Sequence, residues 1–297
     1  MAHQSVPPSI EALARNACQG AIEPLRDLLL RRGGLPGPRP NMKLATDAAH
    51  ALAAQKDHGS QLIRRWATMN AADAPAGTSL PILPMVGAIG LGALATRANN
   101  HASLHSMLME LHDLADDDRR EVRDAVVAAL VLCLEQRMEP TLQAVQAWFD
   151  GYLHAAAVLV AVSEPSIVQR HRDASVGLGC VQQAFALAVS APRAHQRSHG
   201  YRLLLRTIAE SLTRLGGRFS HDVTSWIEAH VGVASEDLLA VLHTALDGLR
   251  ARGLRQDAAM PAYEALDAAV PEPRDPRWDV GPTRGRGKKA RRKGRVT

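Results

Sequence analysis

Four residues in one stretch carry a pattern suited to a polyanion: His195, His199, Arg202 and Arg206 follow i, i+4, i+7 and i+11. On a helix turning 100° per residue they fall in a narrow stripe of about three turns, roughly 16 Å long, which is enough to meet two or three phosphates. Imidazole charge rises below pH about 6.5, so contact through the two histidines should strengthen in mild acid. The expected helix covers 193–215, with Leu204, Leu205, Ile208, Leu212 and Leu215 on its buried side. A plain solvated face is the competing reading. His195 and His199 also have the spacing of a helical metal pair, but no Glu follows the first His and no third ligand stands nearby. Neither a metal nor any other cofactor is therefore expected.

A second basic feature lies at the C-terminal end. Residues 280–297 hold eight basic residues (Arg284, Arg286, Lys288, Lys289, Arg291, Arg292, Lys293 and Arg295) and no acid. The chain's formal charge is +5, so the remaining 279 residues carry 27 basic against 30 acidic residues, a net of −3. The run GPTRGRGKKARRKGRVT has too few apolar residues to fold and reads as a disordered tail. Its charges suit phosphate neutralisation with release of counterions, giving an affinity that falls steeply with salt.

Other chemistry is narrower. Trp148 and Asp150 have the types that could stack on and stabilise a cationic base, yet Trp148 falls in with Leu142, Val145 and Phe149 as a core residue would. The chain has no GxxxxGK[ST], no strand followed by GxGxxG and no GxSxG, which excludes a nucleotide-dependent enzyme or an α/β-hydrolase of those types. Cys18, Cys133 and Cys180 stand singly without a CxxC pair, as suits a reducing cytosol. The first twenty residues lack a basic segment followed by an apolar run, so no secretory leader is expected and the reading is cytoplasmic. The uncharged stretch 74–96 contains three prolines and four glycines. Its dense apolar part falls short of the ~20 residues of a membrane span. It reads as a buried helix in which Gly87, Gly90 and Gly92 admit close neighbours, with no membrane partner.

What positions these residues is helical throughout. The apolar content is 46% but only 3% is aromatic, and Ala, Leu and Val dominate, which favours helices over a β-sandwich. Apolar periodicity predicts helices over 9–18, 21–32, 42–55, 61–69, 81–98, 102–114, 119–135, 140–149, 152–162, 174–189, 193–215, 221–230, 235–252 and 261–269. The breaks are short and rich in Gly and Pro. Such helices joined by tight turns suggest antiparallel pairs stacked in a row. The stretch DDDRREVRDAVVAALVLCL, beginning at Asp116, predicts Asp118 as a helix cap with Glu121 three residues on, a pair Arg120–Asp124, and an apolar face of Val122, Val126, Ala129, Leu130 and Cys133. A weaker copy, FDGYLHAAAVLVAV, follows with Leu153 in the place of Val122, an offset of 31 residues.

The Asp turn, the Val122-Arg123 step and the Ala-rich helix after it resemble the second helix of a HEAT repeat. From LPILPMVGAIGLGALA through HDLADDDRREVRDAVVAALV to AWFDGYLHAAAVLVAVSEPSIV, the order of motifs is similar to that of bacterial HEAT-repeat proteins grouped with the DNA alkylation repair glycosylases, over roughly residues 80–215. That resemblance implies an all-α fold, an α-solenoid of stacked antiparallel helix pairs, whose concave, Arg-lined surface holds duplex DNA. It also implies a metal-independent cleavage of the N-glycosidic bond of a cationic alkylated base by a Trp, an Asp and an Arg. Tyr152-Leu153-His154-Ala155 stands where the family has Trp-Leu-Arg-Arg, and Tyr201 to Arg206 keeps arginines without the Trp.

The expected organisation is a HEAT-like α-solenoid over 1–270, a Pro-rich linker over 271–282 with Trp278 anchoring it to the last helices, and a disordered basic tail over 283–297. The expected function is nucleic-acid binding, of DNA first, with the body supplying shape and the tail affinity. Two alternatives stay open: a metal-independent glycosylase for alkylated bases, and a scaffold that takes a protein partner on its concave surface. Whether the protein is an enzyme stays open with them.

Overall fold

The computed structural model describes residues 9–269, and among them every regular element is helical. The α-helices are α1 (Ile10–Cys18), α2 (Glu23–Arg32), α3 (Met42–Ala53), α4 (Lys56–Ala67), α5 (Ile82–Thr96), α6 (His101–Ala115) and α7 (Arg120–Val145). They continue as α8 (Tyr152–Val162), α9 (Pro165–Val168), α10 (Ser175–Val189), α11 (His199–Gly216), α12 (Ser220–His230), α13 (Glu236–Ala251) and α14 (Gln256–Ala269). The expected linker and tail, with Trp278 and all eight tail cations, lie outside the described residues.

Helices α3, α5, α7, α8, α11 and α13 form a row in which each packs on the next. The others sit against that row: α4 on α3 and α5, α6 on α5 and α7, α10 on α8 and α11, and α14 on α12 and α13. One hydrophobic core runs through all of these helices. No helix among the described residues is long and apolar enough to cross a membrane.

Helix α5 shows how small residues build this packing. Thirteen of its fifteen residues are buried. A Cβ at Gly87 would stand 2.2 Å from the backbone nitrogen of Ala67, and one at Gly92 would stand 2.8 Å from Cα of Ala129. The glycines therefore let α4 and α7 approach to backbone contact, as their spacing suggests.

Several boundaries depart from the periodicity. The four predicted cations do not share a helix, because α11 starts at His199 and His195 lies in the preceding turn. Ser198 caps α11, its hydroxyl accepting from the backbone N–H of Tyr201 at 3.2 Å. A hydroxyl that satisfies an orphan donor of the first turn outweighs the helical propensity of the residues before it. Helix α4 begins five residues earlier than expected because Gly59 fits against the carbonyl of Leu52, where a Cβ would stand at 1.9 Å. Helix α7 runs on through Pro140, but Arg137 is non-helical (φ −143°, ψ 55°), so two segments meet there much where two helices are expected.

Asp118 does not cap α7; the residue before the helix is Arg119, and no side chain caps it. Asp117 instead accepts from the backbone N–H of Arg119 at 2.7 Å and from its guanidinium at 2.8 and 2.6 Å. Arg119 is 2% exposed and donates its other N–H groups to the carbonyls of Met69, Asn70 and Ala74 at 2.7, 3.2 and 3.0 Å. All five guanidinium donors are thereby used, which offsets the cost of burying the charge. Burial raises the Asp117 carboxyl, but the bonds and charge from Arg119 outweigh it and hold the group below its ordinary value.

Candidate nucleic-acid interface

A concavity opens on the row of helices. Helix α8 has small side chains at Ala156 and Ala157, so its surface is recessed between α7 and α11. Leu153 and Val160 complete an apolar floor, and α7 and α11 form the walls of a groove of about 920 Å³. Arg120 and Arg123 stand on the α7 wall, His199 and Arg206 on the α11 wall, and Arg39 closes one end from the segment before α3. Two acids share the lining, and each pairs with a rim arginine: Arg120 with Asp124 at 3.4 Å and Arg206 with Glu210 at 3.9 Å. Arg123 is directed to the turn before α7, where it donates to the carbonyls of Asp117 and Asp118. A second, smaller groove of about 590 Å³ lies between α11 and α13, and Arg206 and Glu210 stand on the ridge between the two.

The predicted stripe is thus divided. His199 and Arg206 line the groove together. Arg202 is exposed and its guanidinium donates to the carbonyl of Arg197 just before the helix. His195 faces a different neighbour, its Nδ1 lying 3.4 Å from the hydroxyl of Tyr152. Leu204, Ile208, Leu212 and Leu215 are buried as expected, whereas Leu205 is half-buried and lines the second groove.

Trp148 is fully buried, which agrees with the core reading and leaves no face for stacking on a base. Beside it lies a group that the sequence reading missed. Asp150 accepts hydrogen bonds from two histidines: His112 Nε2 lies 3.2 Å from each carboxylate oxygen, and His154 Nδ1 lies 2.9 Å from Oδ1. The two imidazoles are 3.8 Å apart between centroids, and the Trp148 ring meets His112 edge-on at 5.2 Å. Both histidine side chains are 14% exposed and Asp150 is 55% exposed. Burial raises the Asp150 carboxyl, yet the bonds from His112 and His154 more than offset it, so the carboxyl sits below its ordinary value. His154 follows Asp150 by four residues, the one part of the group legible in the chain. His112 belongs to α6, 38 residues before Asp150, and only the packing of α6 on α8 brings it in.

The two buried cysteines offer no nucleophile. Burial pushes the Cys133 thiol up to about 12 and the Cys180 thiol up to about 11, so both stay protonated near neutral pH.

No family model matches this chain, and no curated protein or solved structure shows significant similarity to it.

Proposed function

We propose that this chain is a HEAT-like α-solenoid that binds nucleic acid, duplex DNA first, in the groove over α8. The observation that supports this reading is that Arg39, Arg120, Arg206 and His199 line one concavity with two acids, Arg123 being engaged by the turn before α7. Cations spread along a groove engage the backbone phosphates and set position without reading sequence. The row of helices α3, α5, α7, α8, α11 and α13 is what a solenoid would present along its inner side. With a body of net −3, the eight tail cations supply the long-range attraction and the groove supplies the docking surface.

A protein scaffold is the second reading, favoured by the apolar floor of Leu153, Ala156, Ala157 and Val160 and by the acids already paired to Arg120 and Arg206. The glycosylase reading loses its stacking residue, since Trp148 is fully buried.

A mobility-shift series with duplex DNA separates these readings, using the full chain, a chain lacking residues 281–297, and the shortened chain with Arg39→Glu and Arg206→Glu. Removal of the tail should flatten the salt dependence, and the double charge reversal should abolish most of the residual affinity. Residual affinity unchanged by the reversal removes DNA from the groove and leaves the scaffold.

A further inference from the structure

We propose that His112, Asp150 and His154 form a binding site for a divalent transition metal of the zinc class, held between the end of α6 and the start of α8. The three side chains offer one ligand atom each, all within 4.8 Å of one another. In a tetrahedral site with bonds of about 2.0–2.1 Å, ligand atoms lie about 3.3 Å apart. Here Asp150 Oδ1 is 3.2 Å from His112 Nε2 and 2.9 Å from His154 Nδ1, within a few tenths of an ångström of that spacing, and the three ligand atoms all lie within 4.8 Å of one another. Imidazole nitrogen and a carboxylate are the donor set that zinc-class ions prefer over calcium or magnesium.

The surroundings favour occupation. The close, tilted contact of the two rings and the buried Trp148 behind them restrict both imidazoles, which lowers the ordering cost of binding. Asp150 is on the solvent side and gives an ion its entry path, and three protein ligands leave the fourth position to water. The outer shell is thin. His112 Nδ1 has the Asp113 carboxylate 3.7 Å away, but His154 Nε2 is buried with no partner. Histidine ligands without an outer partner commonly bind roughly 10–100-fold more weakly, so this site is expected to be weaker than a fully backed one. Nothing here depends on the groove: His154 points to α6, whereas its neighbours Leu153 and Ala156 face the groove.

The test uses the untagged full chain freed of metal with a chelator and titrated with zinc chloride by calorimetry, then with cobalt chloride by visible absorption. One equivalent should bind, with the ligand-field bands of a tetrahedral or five-coordinate cobalt ion. His154→Ala, His112→Ala and Asp150→Asn should each weaken binding by more than 10-fold, while His195→Ala with His199→Ala should not. Asp150→Asn keeps the shape of a half-exposed residue, so it remains informative if a histidine variant fails to fold. No saturable binding, or binding that survives Asp150→Asn unchanged, overturns the site. DNA affinity is read separately, so failure here leaves the proposed function standing, and the reverse.

Discussion

Helices α5 and α8 are both uncharged, both built largely from small and aliphatic residues, and both in the same row, yet one is enclosed and the other forms the floor of a groove. The difference lies in their cover. Helix α5 has α2, α3, α4, α6 and α7 around it, and its glycines press against α4 and α7. Helix α8 has α6, α7, α10 and α11 about it, but the side bearing Leu153, Ala156, Ala157 and Val160 opens to the groove. Similar small and aliphatic composition thus yields a structural core in one place and a groove floor in another, depending on whether a neighbour is supplied.

Four substitutions test that contrast. The largest effect is expected where the cover of α5 is anchored. Arg119→Ala leaves the Asp117 carboxylate without its partner and frees the segment leading into α5, and breaking such a buried pair costs about 3–5 kcal/mol, measurable by chemical unfolding. The acid side of the same pair has a definite sign. The Asp117 carboxyl is depressed in the folded state, so its contribution is complete above its unfolded value of about 3.9 and is lost as pH falls through the folded value. Asp117→Asn should accordingly flatten the stability profile in that acid range.

Gly87→Ala comes next. The added methyl meets the backbone of Ala67, which a rotamer change cannot relieve, and overpacking of this kind costs about 1–3 kcal/mol. A cost under half of that would mean that α4 and α5 are less tightly apposed than described. The smallest effect has the opposite sign. Gly179 lies on the exposed side of α10, over α8, with nothing within 4 Å of an added Cβ. Gly179→Ala should raise stability by about 0.5–1 kcal/mol through helix propensity alone. A loss of stability would show that this side of α10 is not open to solvent as described.

Most of the helices were legible in the sequence from their apolar patterning, α5 and α8 from nearly continuous apolar runs, whereas the short α9 was not. What periodicity could not supply were contacts between distant segments and the competition between caps. The start of α11 depends on one hydroxyl, that of Ser198, and moving it removes His195 from the stripe. The cap expected at Asp118 does not form; the residue before α7 is Arg119, whose backbone N–H and guanidinium are both held by Asp117. His112 joins Asp150 across 38 residues, and no local pattern marks a pairing that depends on how two helices pack.

The guanidinium of Arg119 reaches the segment before α5 only through the carbonyls of Met69, Asn70 and Ala74. A carbonyl is the same whatever side chain it precedes. The segment's path is therefore fixed by one distant arginine and by Asn70, whose Oδ1 accepts from the backbone N–H groups of Ala72 and Asp73, while the exposed side chains of Ala71, Ala72 and Asp73 are free to drift. Mutational tolerance along this stretch should be wide for substitutions and narrow for insertions and deletions.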